Sequence, residues 1–309
     1  LVKKRFPLWH CKEIYMTIKL GVDSICYQHT IARGELDLEG FLDKVVAYGG
    51  QSVQIDPIFP AFGLDLRPAN VDRLRVLLAE RGLEIVVKGN SGGTGFLAVE
   101  GPDIERIVEA MREKFAAATV LGARVVRLVS RAYPFPAGEW IPPSIPRQAV
   151  LERVVKTLHR LLPEAEEWGL VLALENHGDL RIAEMEWILA EVDSPTLRVQ
   201  LDVAEQTALF EDALEAVRRL IPHAVTVHWT NFVPRLTDEG HLKTSCRPCE
   251  GLLPLDEMVA VLRTVSQDLL VFVAGQTQRR ADEDAIVKEH MAFLSQELLG
   301  ETSAVASQS

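Results

Sequence analysis

Eight short apolar runs, each followed by a longer amphipathic stretch, alternate along the 309 residues and most narrowly limit how the chain folds. The runs fall at 18–22, 52–56, 83–89, 125–130, 170–176, 197–203, 225–231 and 269–275. Most are rich in Val, Ile and Leu, as strands buried on both faces are. Between them, DLEGFLDKVVAYGG opens on Asp37 as an N-cap and closes on glycines. NVDRLRVLLAERG repeats the pattern, with Asn70 as cap and Gly82 as stop. Stretches at 103–121, 147–168, 182–192, 212–221, 255–264 and 282–297 complete the helices. The segments AYGGQSVQI, VLGARVVRL and EWGLVLAL share one form: a helix end, a glycine, then a strand.

These repeating units predict a single α/β domain over residues 16–298, a closed (β/α)8 barrel. The competitor is a doubly wound open sheet, which usually carries a glycine-rich turn after its first strand. Here that turn reads DSICYQHT, without such glycines. SGGTG at 91–95 lacks the Lys-Ser/Thr of a phosphate loop and is read as a loop at the barrel mouth. RAYPFPAGEWIPPSIPR after the fourth run is proline-rich, and it is read as a stiff lid whose Trp140 stacks on a sugar or packs on the barrel. Residues 1–15 precede Met16 and are read as an extension, and 299–309 as a flexible tail.

A hydrophobic share of 48% suffices for a full core, and no run of about 18 apolar residues marks a membrane span. The net charge of -11 makes nucleic acid an unfavourable partner and points to a small ligand. Cys11, Cys26, Cys246 and Cys249 are too scattered for a disulfide framework, which suits the cytoplasm. The CRPC sequence at 246–249 lacks a second pair for zinc and is read as ordinary loop.

LVLALE, LRVQLD and AVTVH each end on a polar residue: Glu175, Asp202 and His228. The C-terminal ends of barrel strands are where active sites are built. Two carboxylates and an imidazole meeting there make an oxygen–nitrogen site for a divalent cation. The alternative is three separately hydrogen-bonded strand ends.

On these residues the chain resembles the sugar phosphate isomerase/epimerase family of xylose isomerase-like TIM barrels, which includes ketose epimerases, inosose dehydratases and C-glycoside-cleaving subunits. The resemblance implies one bound divalent metal, manganese first, with magnesium, zinc or cobalt as alternatives. It implies Glu175 in LALENHGD, Asp202 in VQLDVAE and His228 in TVHWTN as ligands. It also implies that Arg247, in CRPCEGLLPLDEMVAVL, contacts substrate oxygens. The family's fourth ligand, a Glu ending the eighth strand, is replaced here by Ala274 in LLVFVAGQTQ. Gln276 shares the side-chain parity of Ala274 and offers a neutral amide oxygen one pleat further out. Three readings follow: three ligands suffice, the site has been disabled by an introduced change, or the fold persists without catalysis as a sugar-binding or partner subunit.

A divalent ion polarising a ketose carbonyl acidifies the adjacent carbon, and a nearby carboxylate takes the proton. Loss of the strand-eight carboxylate disfavours two-base epimerisation and leaves isomerisation, dehydration or β-elimination. Glu175 is then ligand and base, with His177, two residues on and on the same face, as proton donor. His29 is a candidate sugar contact, Arg127 and Arg131 flank the fourth strand's end as candidate anion or carbonyl contacts, and Lys88 is read as a surface lysine. A multi-zinc DNA-repair endonuclease on the same fold needs more ligands and a basic groove. The expected partner is a small sugar or keto-sugar, on a homo-oligomer or partner subunit.

Overall fold

The computed structural model describes residues 17–90, 97–132, 145–238, 240–277 and 282–300. Trp140, the 91–95 glycines, the 1–15 extension and the tail beyond residue 300 lie outside the described residues. Eight strands close a parallel barrel: β1 Ile18–Asp23, β2 Ser52–Ile55, β3 Glu84–Lys88, β4 Val125–Val129, β5 Val171–Glu175, β6 Leu197–Asp202, β7 Ala224–Trp229 and β10 Leu269–Val273. Neighbours pair in sequence order, and β10 closes the ring between β7 and β1. All eight strands lie where the apolar runs place them, within a residue or two.

Period-two alternation divides the strand side chains between two apolar layers. Outward residues such as Val53, Val87, Leu174 and Val227 pack beneath the helices in one large core. Inward, Val86, Val125, Ala173 and Phe272 form a small apolar plug, with Val171, Val225 and Leu270 packed against it. Much of the remaining interior is polar, with Ser52, Gln54, Arg127, Gln200 and Thr226 all buried. The outer helices include α2 Leu38–Ala47, α3 Pro68–Glu80, α4 Pro102–Val120, α5 Arg147–Glu167, α6 Ile182–Val192, α7 Ala213–Leu220, α8 Leu255–Leu262 and α9 Glu283–Glu297. No described helix is long and apolar enough to cross a membrane.

Asp37 caps α2 as expected, its carboxylate accepting from Gly40 N at 2.8 Å. Asn70 does not cap α3. That helix begins two residues earlier, at Pro68, whose fixed φ suits a first turn, and Asn70 Nδ2 instead donates to Asp65 Oδ1 at 2.8 Å. The helix-to-strand glycines Gly49 and Gly122 adopt φ of 78° and 74°, the left-handed turn that reverses the chain into the next strand.

One element was not visible in the sequence. After β7 the chain forms an antiparallel hairpin, β8 Asn231–Thr237 and β9 Gly240–Cys246, set apart from the barrel sheet. Asn231 anchors its base, with Oδ1 accepting from Phe232 N and Leu253 N and Nδ2 donating to Pro248 O. Ser245 N donates to Gln276 O at 2.9 Å and ties the hairpin to the segment after β10. Cys246 ends β9, and Cys249 lies exposed in the following short turn.

Gly21 leaves no room for a side chain: a methyl group there would sit 2.8 Å from Phe272 Cδ1 and collide with Ser52. Gly21→Ala is therefore expected to destabilise the barrel by about 1–3 kcal/mol, read from the shift in urea midpoint.

Candidate active site

The adjacent strands β5, β6 and β7 carry Glu175, Asp202 and His228 to one rim of the barrel, with Asp202 opposite His228 in the β6–β7 register. All three side chains are buried, and one donor atom of each lies within 4.8 Å of the others. His228 Nδ1 is 3.3 Å from Glu175 Oε1 and 3.6 Å from Asp202 Oδ2.

The second atom of each group is held by the protein. Glu175 Oε2 accepts from Arg127 Nε and, at 2.8 Å, from Gln200 Nε2. Asp202 Oδ1 accepts from Ala204 N at 2.8 Å and Glu205 N at 3.1 Å. His228 Nε2 faces Gln54 Oε1 and lies 3.3 Å from Asp23 Oδ2. Gln54 Oε1 on that side favours a proton on Nε2, although Gln200 Nε2 also stands 3.0 Å from the same nitrogen, and Nδ1 faces the two carboxylates. Gln54 is oriented in turn: its Nε2 donates to Gln200 Oε1 at 2.7 Å, which also accepts from Thr226 Oγ1 at 3.0 Å. Ligands whose remote atoms are fixed by a second layer of hydrogen bonds are the usual construction of a metal site. The donor set of two oxygens and one imidazole nitrogen fits a divalent first-row ion.

The electrostatics agree. Three lone pairs meeting in a buried space require a positive charge, and His228 supplies one as a proton when nothing else does. Burial works against that proton, yet Glu175, Asp202 and Asp23 hold the His228 pKa well above its ordinary value. Burial likewise opposes ionisation of Glu175, but Arg127 and His228 keep its carboxyl well below the usual range. At Asp23, burial is overcome by Lys88 and His228, which bring the pKa down to about 2.

A cavity of ≈ 330 Å³ opens over the triad. Its wall includes Asp23, Lys88, Arg127, His177, Glu205 and Lys243. His177 therefore shares the face of Glu175, while Asn176 turns away and bridges Asp202 N and O. Ala274 and Gln276 both line the cavity, the former offering no donor.

Arg247 lies elsewhere. It lines a separate cavity of ≈ 450 Å³ with Thr244, Cys246 and Glu250, and its Nε stands 3.4 Å from Glu289 Oε1. His29 is also turned from the triad cavity, its Nε2 bonded to Thr277 O at 2.8 Å. Lys88 is not a surface lysine: only 12% of its side chain is exposed, and Nζ pairs with buried Asp23. Asp23 carries the signal that marked the triad, a lone acid closing the apolar run IKLGVD, although it was not singled out. Glu205 and Lys243, an ion pair across the mouth, come from a short turn and the unforeseen hairpin. Burial, reinforced by Asp202, raises the Glu205 pKa against the pull of Lys243.

Residues 42–297 match the xylose isomerase-like TIM barrel family. The chain belongs to that family. No curated protein matches it by sequence. Among solved structures, a D-tagatose 3-epimerase-like protein superposes with TM-score 0.67 at 19% identity, over 91% of this chain and 99% of that one. The IOLI protein, solved with a binding zinc atom, gives TM-score 0.72 at 15% identity over 92% and 99%. The 3-keto-D-glucoside 4-epimerase YcjR from E. coli gives 0.67 at 17% identity over 90% and 99%. At these identities the likeness is one of fold, and it agrees with the family and barrel read from the sequence.

Three outcomes are expected for this family member. Gln54→Leu removes an acceptor from His228 Nε2 and should weaken divalent-metal binding roughly 10–100-fold, measured by chelator-competition calorimetry. Because metal-free His228 is protonated and a ligand imidazole is not, apparent metal affinity should rise with pH, by about tenfold per unit where one proton is displaced. The raised folded-state pKa has the matching consequence for metal-free protein. Its contribution to stability is full below the unfolded value near 6.5 and is lost as pH rises through the folded value. Urea midpoints in excess chelator check this.

Proposed function

We propose that the chain is a divalent-metal-dependent carbohydrate isomerase or lyase that removes a proton from carbon next to a sugar carbonyl. The observation that carries this reading is the inward aim of Glu175 Oε1, Asp202 Oδ2 and His228 Nδ1, each with its remote atom already bonded. A divalent cation held by these atoms would polarise a carbonyl or hydroxyl oxygen of the sugar and acidify the neighbouring C–H. Manganese is the first choice, with magnesium, zinc and cobalt as alternatives.

The chain's own groups divide the remaining work. Glu175, kept ionised by Arg127, serves as ligand and is a weak base. Glu205 stands across the cavity mouth with its pKa raised by burial and by Asp202, which makes it a stronger base than Glu175. His177 lines the same cavity and is placed to return a proton to a leaving oxygen or to carbon. With Ala274 at the end of β10, no side chain there offers a second carboxylate, which favours one-sided isomerisation or elimination over two-base epimerisation. Gln276, also on the cavity wall, is proposed to bind sugar hydroxyls.

The metal-loaded protein incubated with ketoses in D2O should exchange the C–H beside the carbonyl, followed by proton NMR. Metal binding without exchange in any ketose would leave a non-catalytic sugar binder. Glu175→Gln is expected to lose both metal and turnover. Glu205→Gln should keep the metal but lower turnover by about 10²–10⁴; an unchanged rate would remove Glu205 from proton transfer.

A further inference from the structure

Arg127 is the cation in this site whose hydrogen-bonding capacity is least used. It follows Val125 by two on β4 and so faces the barrel interior, with 9% of its side chain exposed. Its Nε is engaged with Glu175. Nη1 and Nη2 have no hydrogen-bond partner among the described residues, yet neither is sealed off, and the residue lines the triad cavity. The outer edge of the guanidinium, two parallel N–H groups, is the fork that binds a carboxylate in bidentate fashion.

The charges in the cavity point the same way. Lys88 is matched by Asp23, and Lys243 by Glu205. With a divalent cation sharing Glu175 and Asp202 beside neutral His228, the Arg127–Glu175 pair no longer balances and the cavity is left with one net positive charge. A single buried positive charge is costly unless paired. The fork accepts a carboxylate or a phosphate, but a phosphate ester brings nearly two negative charges where a carboxylate brings the one that balances the cavity.

We propose that Arg127 binds a carboxylate of the substrate, so that the sugar is a keto-sugar acid rather than a neutral ketose. This rests on the proposed carbohydrate function and deepens it. Arg127 then orients the sugar along the barrel axis while its Nε keeps Glu175 ionised.

The test compares three ligands on manganese-loaded protein by titration calorimetry: D-fructuronate, D-fructose and D-fructose 6-phosphate. The acid is expected to bind at least about tenfold tighter than the neutral ketose, about 1.4 kcal/mol. Arg127→Lys, which keeps the charge and loses the fork, should remove most of the acid's advantage over the neutral ketose, read as the ratio of the two affinities in the same variant. Should that variant fail to fold or load metal, the wild-type ligand series decides alone. Equal binding of acid and neutral ketose would overturn the Arg127 assignment and leave the carbohydrate function standing. Tightest binding of the phosphate ester would overturn it in favour of a sugar phosphate. Binding of none of the three would remove the assignment together with the proposed function.

Discussion

Three lone pairs aimed at one buried point cannot coexist without a positive charge between them. Glu175 Oε1, Asp202 Oδ2 and His228 Nδ1 are held in that arrangement. The carboxylates favour the His228 proton as that charge; in the proposed function a divalent ion would supply it instead. Much of the surrounding interior is arranged to hold the three groups in this position. Arg127 and Gln200 fix Glu175, two backbone amides fix Asp202, and Gln54 with Asp23 fixes His228.

This explains why the barrel interior departs from a hydrocarbon plug. The inward apolar layer is small, four buried residues with three more packed against them, and beyond it lies a network of two glutamines, a threonine and an arginine. Buried amides require partners for every donor and acceptor. Here the amides of Gln54 and Gln200 find partners among other strands' side chains, so the network links β2, β4, β5, β6 and β7. Rigidity at the rim follows from satisfied polarity as much as from packing.

Much of this was legible in the sequence, for identifiable reasons. The strands show because parallel strands covered on both faces are continuous apolar runs. Glu175, Asp202 and His228 show because a polar residue ending such a run sits at the barrel rim. Gln54 and Gln200 left a fainter trace, as polar interruptions inside otherwise apolar strands, but no sequence rule pairs them across the barrel. Lys88 was misread because a lysine at a strand end usually reaches solvent; here buried Asp23, far away in sequence, captures it. The β8–β9 hairpin was hidden by its polar residues and by Pro234, since proline argues against a strand except at an edge. That hairpin in turn places Arg247 in a cavity of its own. Trp140 falls outside the described residues.

The central claim is that Glu175, Asp202 and His228 share one cation through the three inward atoms. Crystals soaked in manganese and measured at its absorption edge test this most directly. The account predicts one anomalous peak per chain, within about 2.0–2.4 Å of Glu175 Oε1, Asp202 Oδ2 and His228 Nδ1. A peak bound through His228 Nε2, or no peak at this rim while another site fills, would contradict it.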